Sequence, residues 1–382
     1  MLIYAAVYYG FPALLPDLLH DTGRSKSALA FGPSLSFLIM AGLTPFTGRL
    51  VDRGYGGEML IYLPLLVAAG FAVLAFATTQ MGWIFGWSLI GVGQAGCLYE
   101  TCFAFLTRRL GVGARAAITR VTLVAGFAGT LAFPLGHILA SQSSGQHAML
   151  AFALMIAGGV VPLNAVAVWQ LRRGVRLGGA RYLPEPGALA AAVRRPAFWF
   201  LVAVFGTVML GHGILLTYIL VLFADRGAGV QLAMFAAACI GPAQVAGRLL
   251  LLFGEARVGN LRALVLGQMA IVFASVTLWM AGAAPGLILV VAIAQGAGIG
   301  VFSILRPVLI GDILGKSGFG TVSGVVAMAP ILATAAAPLL GAQLFNWGGV
   351  AVIYLVCIGL SIIGLSLGVA LTRLPAQRHK LA

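Results

Sequence analysis

The chain has 382 residues, of which 61% are hydrophobic and only 8% charged, against about 25% charged in an ordinary soluble domain. A soluble enzyme, a disordered chain and a fibrous protein are excluded, since each would leave most of that apolar surface in water. The apolar runs are long and continuous, which excludes a membrane β-barrel with its short alternating strands. The net charge of +14 reads as loop charge that orients a membrane protein, and it calls for no nucleic-acid partner.

A spanning helix takes about 20 apolar residues. Twelve such segments are predicted in chain order, at 2–19, 29–51, 58–79, 82–107, 120–141, 148–171, 197–222, 230–252, 262–282, 286–311, 321–343 and 349–372. The fold class is all-α and polytopic, in two pseudo-symmetric six-helix bundles. The first span follows Met1 at once, so no cleavable leader is read. The fourth span contains Gly91-Val92-Gly93-Gln94-Ala95-Gly96, which matches a dinucleotide fingerprint. That fingerprint needs a strand before it and a helix after it, whereas small residues inside a span let helices approach closely. The longest connection, Arg172 to Arg195, carries Pro184, Glu185 and Pro186 and reads as a linker. The expected domains are therefore 1–171, a central loop 172–195, and 196–382. Gly311 to Ser317 resembles a phosphate loop but is one residue short, so ATP-driven transport has no support. Cys97, Cys102, Cys239 and Cys357 lie in apolar runs. No disulfide, metal site or cofactor is expected.

With both termini in the cytoplasm, the inner side collects Arg49, Arg53, Arg108, Arg109, Arg115, Arg120 and the six arginines of the central loop. Arg248, Arg257, Arg262, Lys316, Arg373, Arg378 and Lys380 complete that side. The outer side holds Arg24, Lys26 and Arg226, and Arg306 alone among basic residues falls well inside a span. This alternation predicts the orientation.

The halves repeat. Gly96 to Pro134 aligns without gaps on Gly300 to Pro338 at an offset of 204, and Gly48-Arg49-Leu50 resembles Gly247-Arg248-Leu249. Parallel repeats of six helices with a site between them form a transporter architecture. Gly48-Arg49-Leu50-Val51-Asp52-Arg53-Gly54, followed by Tyr55-Gly56-Gly57, resembles the signature loop of the major facilitator superfamily. The Gly and the Asp-Arg pair match; Gly57 and Glu58 stand where that signature has basic residues. Tyr8-Tyr9-Gly10-Phe11 with Pro16, Gly96-Cys97-Leu98-Tyr99-Glu100 with Phe103, and Arg306-Pro307 with Gly318-Phe319-Gly320 resemble bacterial monocarboxylate porters and oxalate/formate antiporters. The resemblance implies a secondary transporter working by alternating access, with the first, fourth, seventh and tenth helices lining a central cavity. Within the same fold a drug or metalloid exporter is the alternative. A membrane enzyme would want clustered His or acidic residues, and a receptor would usually add a signalling domain; neither is seen.

Glu100 is the only acidic residue well inside a span. A buried charge costs at least about 2.5–3.5 kcal/mol and usually faces a wet cavity or a partner. Arg306 is assigned to substrate recognition, because its guanidinium fork fits a carboxylate. Glu100 is assigned to proton coupling. The competing reading of both is a structural ion pair, or Arg306 reaching the inner interface. Tyr4 and Tyr8, one turn apart on the first span, and His212 on the seventh are further substrate-binding candidates, with aromatic packing and interhelical bonding as the alternatives. His137 reads as an interhelical hydrogen-bonding group. Pro12, Pro16, Pro134, Pro307, Pro330 and Pro338 are expected to mark bends. Gly48, Asp52, Arg53, Arg108 and Arg109 are assigned to an inner gate, with Asp52 pairing with an inner-side arginine when the cavity faces outward. The expected partners are a small organic anion, protons and the bilayer, and the expected location is a bacterial inner membrane, as a monomer.

Overall fold

A computed structural model describes residues 1–174 and 187–374. Residues 175–186 of the central loop, with Arg378 and Lys380, lie outside the described residues, as do the side chains of Pro12, Pro16, Arg115, Pro134, His137 and Arg257. The described chain is helical from end to end, without strands.

Its contacts divide it into two units. Unit 1 is Met1–Leu189 with Lys316–Met328, and unit 2 is Ala190–Gly315 with Ala329–Ala382. Among the described residues, nine helices are long and apolar enough to cross a membrane. One of these, Phe319–Arg373, carries the expected eleventh and twelfth spans, separated where Gly348 and Gly349 leave helical dihedrals. The first span is a pair of helices, Leu2–Gly10 and Ala13–Thr22, bent by 51°. The fifth is in two pieces, Ala114–Ala125 and Ala128–Gln142. All twelve predicted spans are thus accounted for.

Helices run on through Pro307, Pro330 and Pro338. The 51° bend of the first span falls across Pro12, between Gly10 and Ala13; the other breaks fall at glycines, at Gly348–Gly349 and in the fourth span, where Gln80–Ala95 ends at Gly96 and a new helix, Tyr99–Leu110, starts after an extended Leu98. A span tolerates proline because neighbouring groups satisfy the freed carbonyl, whereas glycine admits dihedrals other residues avoid; Gly349 has φ +65°.

The G-x-G-x-x-G string packs helices. A Cβ at Gly91 would crowd the Ser36 carbonyl and Ile39 of the second span, Lys26–Asp52. One at Gly93 would crowd the Leu63 carbonyl and Val67 of the third, Gly56–Ala75, and one at Gly96 would overlap Leu63. Unit 2 repeats the device. Gly296 of the tenth span, Leu287–Leu314, closes on the Ile240 carbonyl and Ala243 of the eighth, Val230–Val258. Gly298 closes on the Gly267 carbonyl and Ile271 of the ninth, Asn260–Met280. The partner residues 36, 39, 63 and 67 map onto 240, 243, 267 and 271 at an offset of 204, while Gly91 and Gly93 map onto Gly296 and Gly298 at 205. The fourth span thus holds one residue more than the tenth beyond Gly93, if the 204 register resumes after it. Its break at Gly96–Leu98 is where such a residue is absorbed.

The same register corrects one sequence match. In the eighth span, offset 204 pairs Arg248 with Thr44, not with Arg49. Arg49 is exposed near the end of its helix, whereas Arg248 is only 5% exposed.

Candidate functional site: an inner latch, an aromatic column and buried cations

Asp52 ends the second span and is buried. Its Oδ1 accepts from the Gly320 amide at 2.8 Å, and its Oδ2 accepts from the Thr321 amide at 2.7 Å and the Thr321 hydroxyl at 2.6 Å. These donors open the helix that starts at Phe319, where backbone N–H groups lack intrahelical partners and the helix dipole favours a negative charge. Asp52 thus binds a helix N-terminus here, through two backbone amides and one hydroxyl, rather than an arginine. Small residues bring the backbones together. A Cβ at Gly48 would overlap the Gly320 carbonyl, and one at Gly324 would crowd the Thr44 carbonyl.

The other gate candidates surround this latch. Arg108 donates to the Val51 carbonyl at 3.3 Å and lines a small hollow with Asp52, Thr107 and Lys316. Arg53 caps the second span through its backbone and is exposed. Arg109 lies over the Phe105 ring. Glu58, in the place of a basic residue of the signature, accepts from Arg172 and ties the start of the third span to the end of the sixth. The Gly57 position is closed too: a Cβ there would crowd Arg172 and Val168.

Tyr4 and Tyr8 stack at 4.2 Å between centroids, and the column continues from Tyr4 to Tyr99 at 4.8 Å and from Tyr99 to Phe103 at 4.9 Å. Glu100 follows Tyr99 in the first turn of the helix after the break. A carboxylate there is favoured by the helix dipole. The column is thus built by a helix restart that the apolar pattern of the sequence did not reveal.

In unit 2, Arg248 donates from Nε to the Ser303 hydroxyl at 3.0 Å and from Nη2 to the side-chain Oε1 of Gln244 at 3.4 Å. Arg306 is partly buried and three residues beyond Ser303, on the same side of the tenth span. Arg248 was missed because its resemblance to Arg49 placed it at a span end. His212 is buried, and its Nδ1 meets the Gln295 amide at 3.2 Å. Glu100 and Arg306 belong to different units. Among the described residues no group of His, Cys, Asp or Glu could hold a metal ion.

The Major Facilitator Superfamily model matches residues 1–283, well over half of the chain. No curated protein matches. Among solved structures, a variant of the E. coli fucose:proton symporter FucP is similar, with a TM-score of 0.72 at 14% identity, covering 97% of this chain and 96% of that one. FucP in the outward conformation has a TM-score of 0.73 at 13% identity, with the same coverage. At these identities the likeness concerns the fold alone.

Proposed function

The chain belongs to the major facilitator superfamily and is a multi-pass membrane transporter, not an enzyme; on that premise we propose that it moves a small organic anion, such as a monocarboxylate, together with protons by alternating access. The observation that carries the anionic reading is the pair of arginines in unit 2. Arg248 is buried and bonded to the Ser303 side chain, and Arg306 lies one turn further along the tenth span. Two guanidinium groups on adjacent apolar helices are costly, and a planar oxyanion is the ligand their forks match best.

Coupling is assigned to Glu100. Proton and anion would then cross together as a neutral pair. That FucP is a proton symporter supports coupling of this kind. The stacked Tyr4 and Tyr8 would flank the path. Asp52, with Gly48 behind it and Arg53, Arg108 and Arg109 around it, would act as the inner gate, since an exchange of access must break or keep its bonds to Gly320 and Thr321.

The proposed bundles are 1–171 and 196–382, joined by a cytoplasmic loop 172–195, in a monomer whose termini are both cytoplasmic in a bacterial inner membrane. A Cys placed at Arg181 should then resist labelling from outside intact cells. The functional test is uptake by proteoliposomes, with and without an imposed pH gradient, from a panel of organic acids with fucose as a neutral comparator. Glu100→Gln should lose gradient-driven accumulation while keeping exchange. Undiminished accumulation would remove Glu100 as the proton site, and uptake of fucose but no acid would remove the anionic reading.

A further inference from the structure

The eighth and tenth spans meet backbone to backbone beside Arg248. A Cβ at Gly247 would overlap the Ala297 carbonyl, and one at Gly300 would overlap the Gln244 carbonyl. This closeness sets a buried arginine of the eighth span against a hydroxyl of the tenth.

The Ser303 hydroxyl has one proton, and it is donated to the Gly300 carbonyl at 2.7 Å. Towards Arg248 its oxygen can then only accept, and it takes the Nε–H at 3.0 Å. Gln244, one turn before Arg248 on the same helix, accepts from Nη2 through its Oε1 at 3.4 Å. Nε–H and Nη2–H lie along one edge of the planar guanidinium. Two acceptors on that edge, one from each helix, fix the plane of the group. A mobile arginine gives up rotamer freedom when it closes on an anion, and that loss weakens binding. A guanidinium held in advance has already given it up.

We propose that Ser303 is a positioning residue for anion recognition: it fixes the guanidinium plane of Arg248 before the anion arrives. The inference rests on the anionic reading of the arginine pair, and adds to it a neutral residue that acts through Arg248 without touching the anion. It also gives a reason for arginine rather than lysine at 248, since a lysine has no Nε–H edge to be held.

Acetate uptake by the full chain in proteoliposomes tests it. Ser303→Ala should raise KM about threefold to tenfold, the range set by one side chain's rotamer freedom, and leave the maximal rate within about twofold. Ser303→Thr keeps the hydroxyl and should return KM to its original value. A role in packing alone predicts the reverse order, since Thr adds a methyl group to a closed interface and Ala does not. In an Arg248→Lys background Ser303→Ala should change nothing further, because the held edge is gone. An unchanged KM in Ser303→Ala overturns the inference, and so does a KM raised as much with Lys at 248 as with Arg; the anionic reading survives either result if Arg248→Lys itself weakens uptake. Unaltered uptake in Arg248→Lys, or none by the unsubstituted protein, strikes the anionic reading and the inference with it. If Ser303→Ala does not fold, Ser303→Cys, a weak acceptor of similar size, supplies the same comparison. A check without any anion is the Nε–H of Arg248, followed by NMR in protein with isotope-labelled arginine. It should exchange with solvent severalfold faster in Ser303→Ala, and equal rates refute the positioning.

Discussion

Gly91 and Gly93 seat the fourth span on the second and third in unit 1, and Gly296 and Gly298 seat the tenth on the eighth and ninth in unit 2. The ends that carry Asp21 and Asp225 correspond as well. Asp21, in the last turn of the first span, accepts from the Gly145 amide that opens the sixth. Asp225, at offset 204, accepts from Tyr354 in the twelfth. Arg24 donates to the Ala77 carbonyl beside Trp83, and Arg226 donates to the Trp279 carbonyl with Trp279 and Tyr354 beneath its guanidinium. The interiors differ. Where unit 2 has Arg248, unit 1 has Thr44, and where the tenth span runs unbroken, the fourth restarts and carries Glu100. Shared backbone packing with divergent polar side chains fits the proposed division of tasks, with the proton and latch in one unit and the anion in the other.

The sharpest break of this comparison lies in the cations. Arg248→Ala and Arg306→Ala should each weaken anion binding by about 2–5 kcal/mol, the usual cost of removing a buried hydrogen-bonded charge. Thr44→Ala and Cys102→Ala, at the matching positions of unit 1, should leave affinity nearly unchanged, within about 0.5 kcal/mol. Equilibrium binding in detergent would decide it. Equal losses in both sets would mean that the units share the anion.

The latch comes next. Asp52→Asn keeps one acceptor oxygen but turns an NH₂ towards amide donors and removes the charge at the helix N-terminus. A cost of about 1.5–3 kcal/mol is expected, as for hydrogen bonds to charged groups. Thermal unfolding should report it, and a Cys at the inner ends should become more accessible to labelling. Unchanged accessibility would confine Asp52 to a capping role.

Matched glycines test the shared register. Gly93→Ala and Gly298→Ala should destabilise by similar amounts, about 1–3 kcal/mol each, since both Cβ atoms would press on a facing carbonyl. Gly42→Ala meets nothing within 4 Å and should cost nothing measurable. A large difference between the first two would break the 205 offset.

The fold was legible because its signal is coarse. Twenty apolar residues in a row have few alternatives, and Gly48 and Asp52 of the family signature lie against the helix that starts at Phe319. The finer polar geometry was not. Asp52 suggested an arginine because opposite charges are visible in a sequence, whereas the free N–H groups of Gly320 and Thr321 are not. The restart before Glu100 leaves no mark on hydropathy, since Gly96, Cys97 and Leu98 read as span residues. Arg248 was placed at a helix end by a three-residue likeness that the packing shifts by five positions. Gln295 drew no attention at all, because a neutral amide in an apolar run has no charge to explain.

The smallest effect is expected at the ends that carry Asp21 and Asp225, where the two units solve one problem with different donors. Asp21 binds a backbone amide at 2.6 Å; Asp225 binds the Tyr354 hydroxyl at 3.0 Å, and that hydroxyl also lies 2.8 Å from the Leu222 carbonyl. Tyr354→Phe removes both contacts yet keeps the ring beneath Arg226, so the cation–π contribution survives. The loss should be about 0.5–1.5 kcal/mol, one net hydrogen bond, because Asp225 keeps Arg226 at 3.4 Å and half-exposed groups regain water. Asp21→Asn should cost about as much, through the charge at the start of the Gly145 helix, but with a different salt response. The backbone interaction of Asp21 is between a full charge and a dipole and should weaken as ionic strength rises. The hydroxyl bonds lost in Tyr354→Phe involve one neutral carbonyl and should respond less. Unfolding temperatures of both variants across a salt series would show it. Identical salt slopes would mean that the two acids hold their units by the same electrostatics, and the likeness of these two ends would extend from position to mechanism.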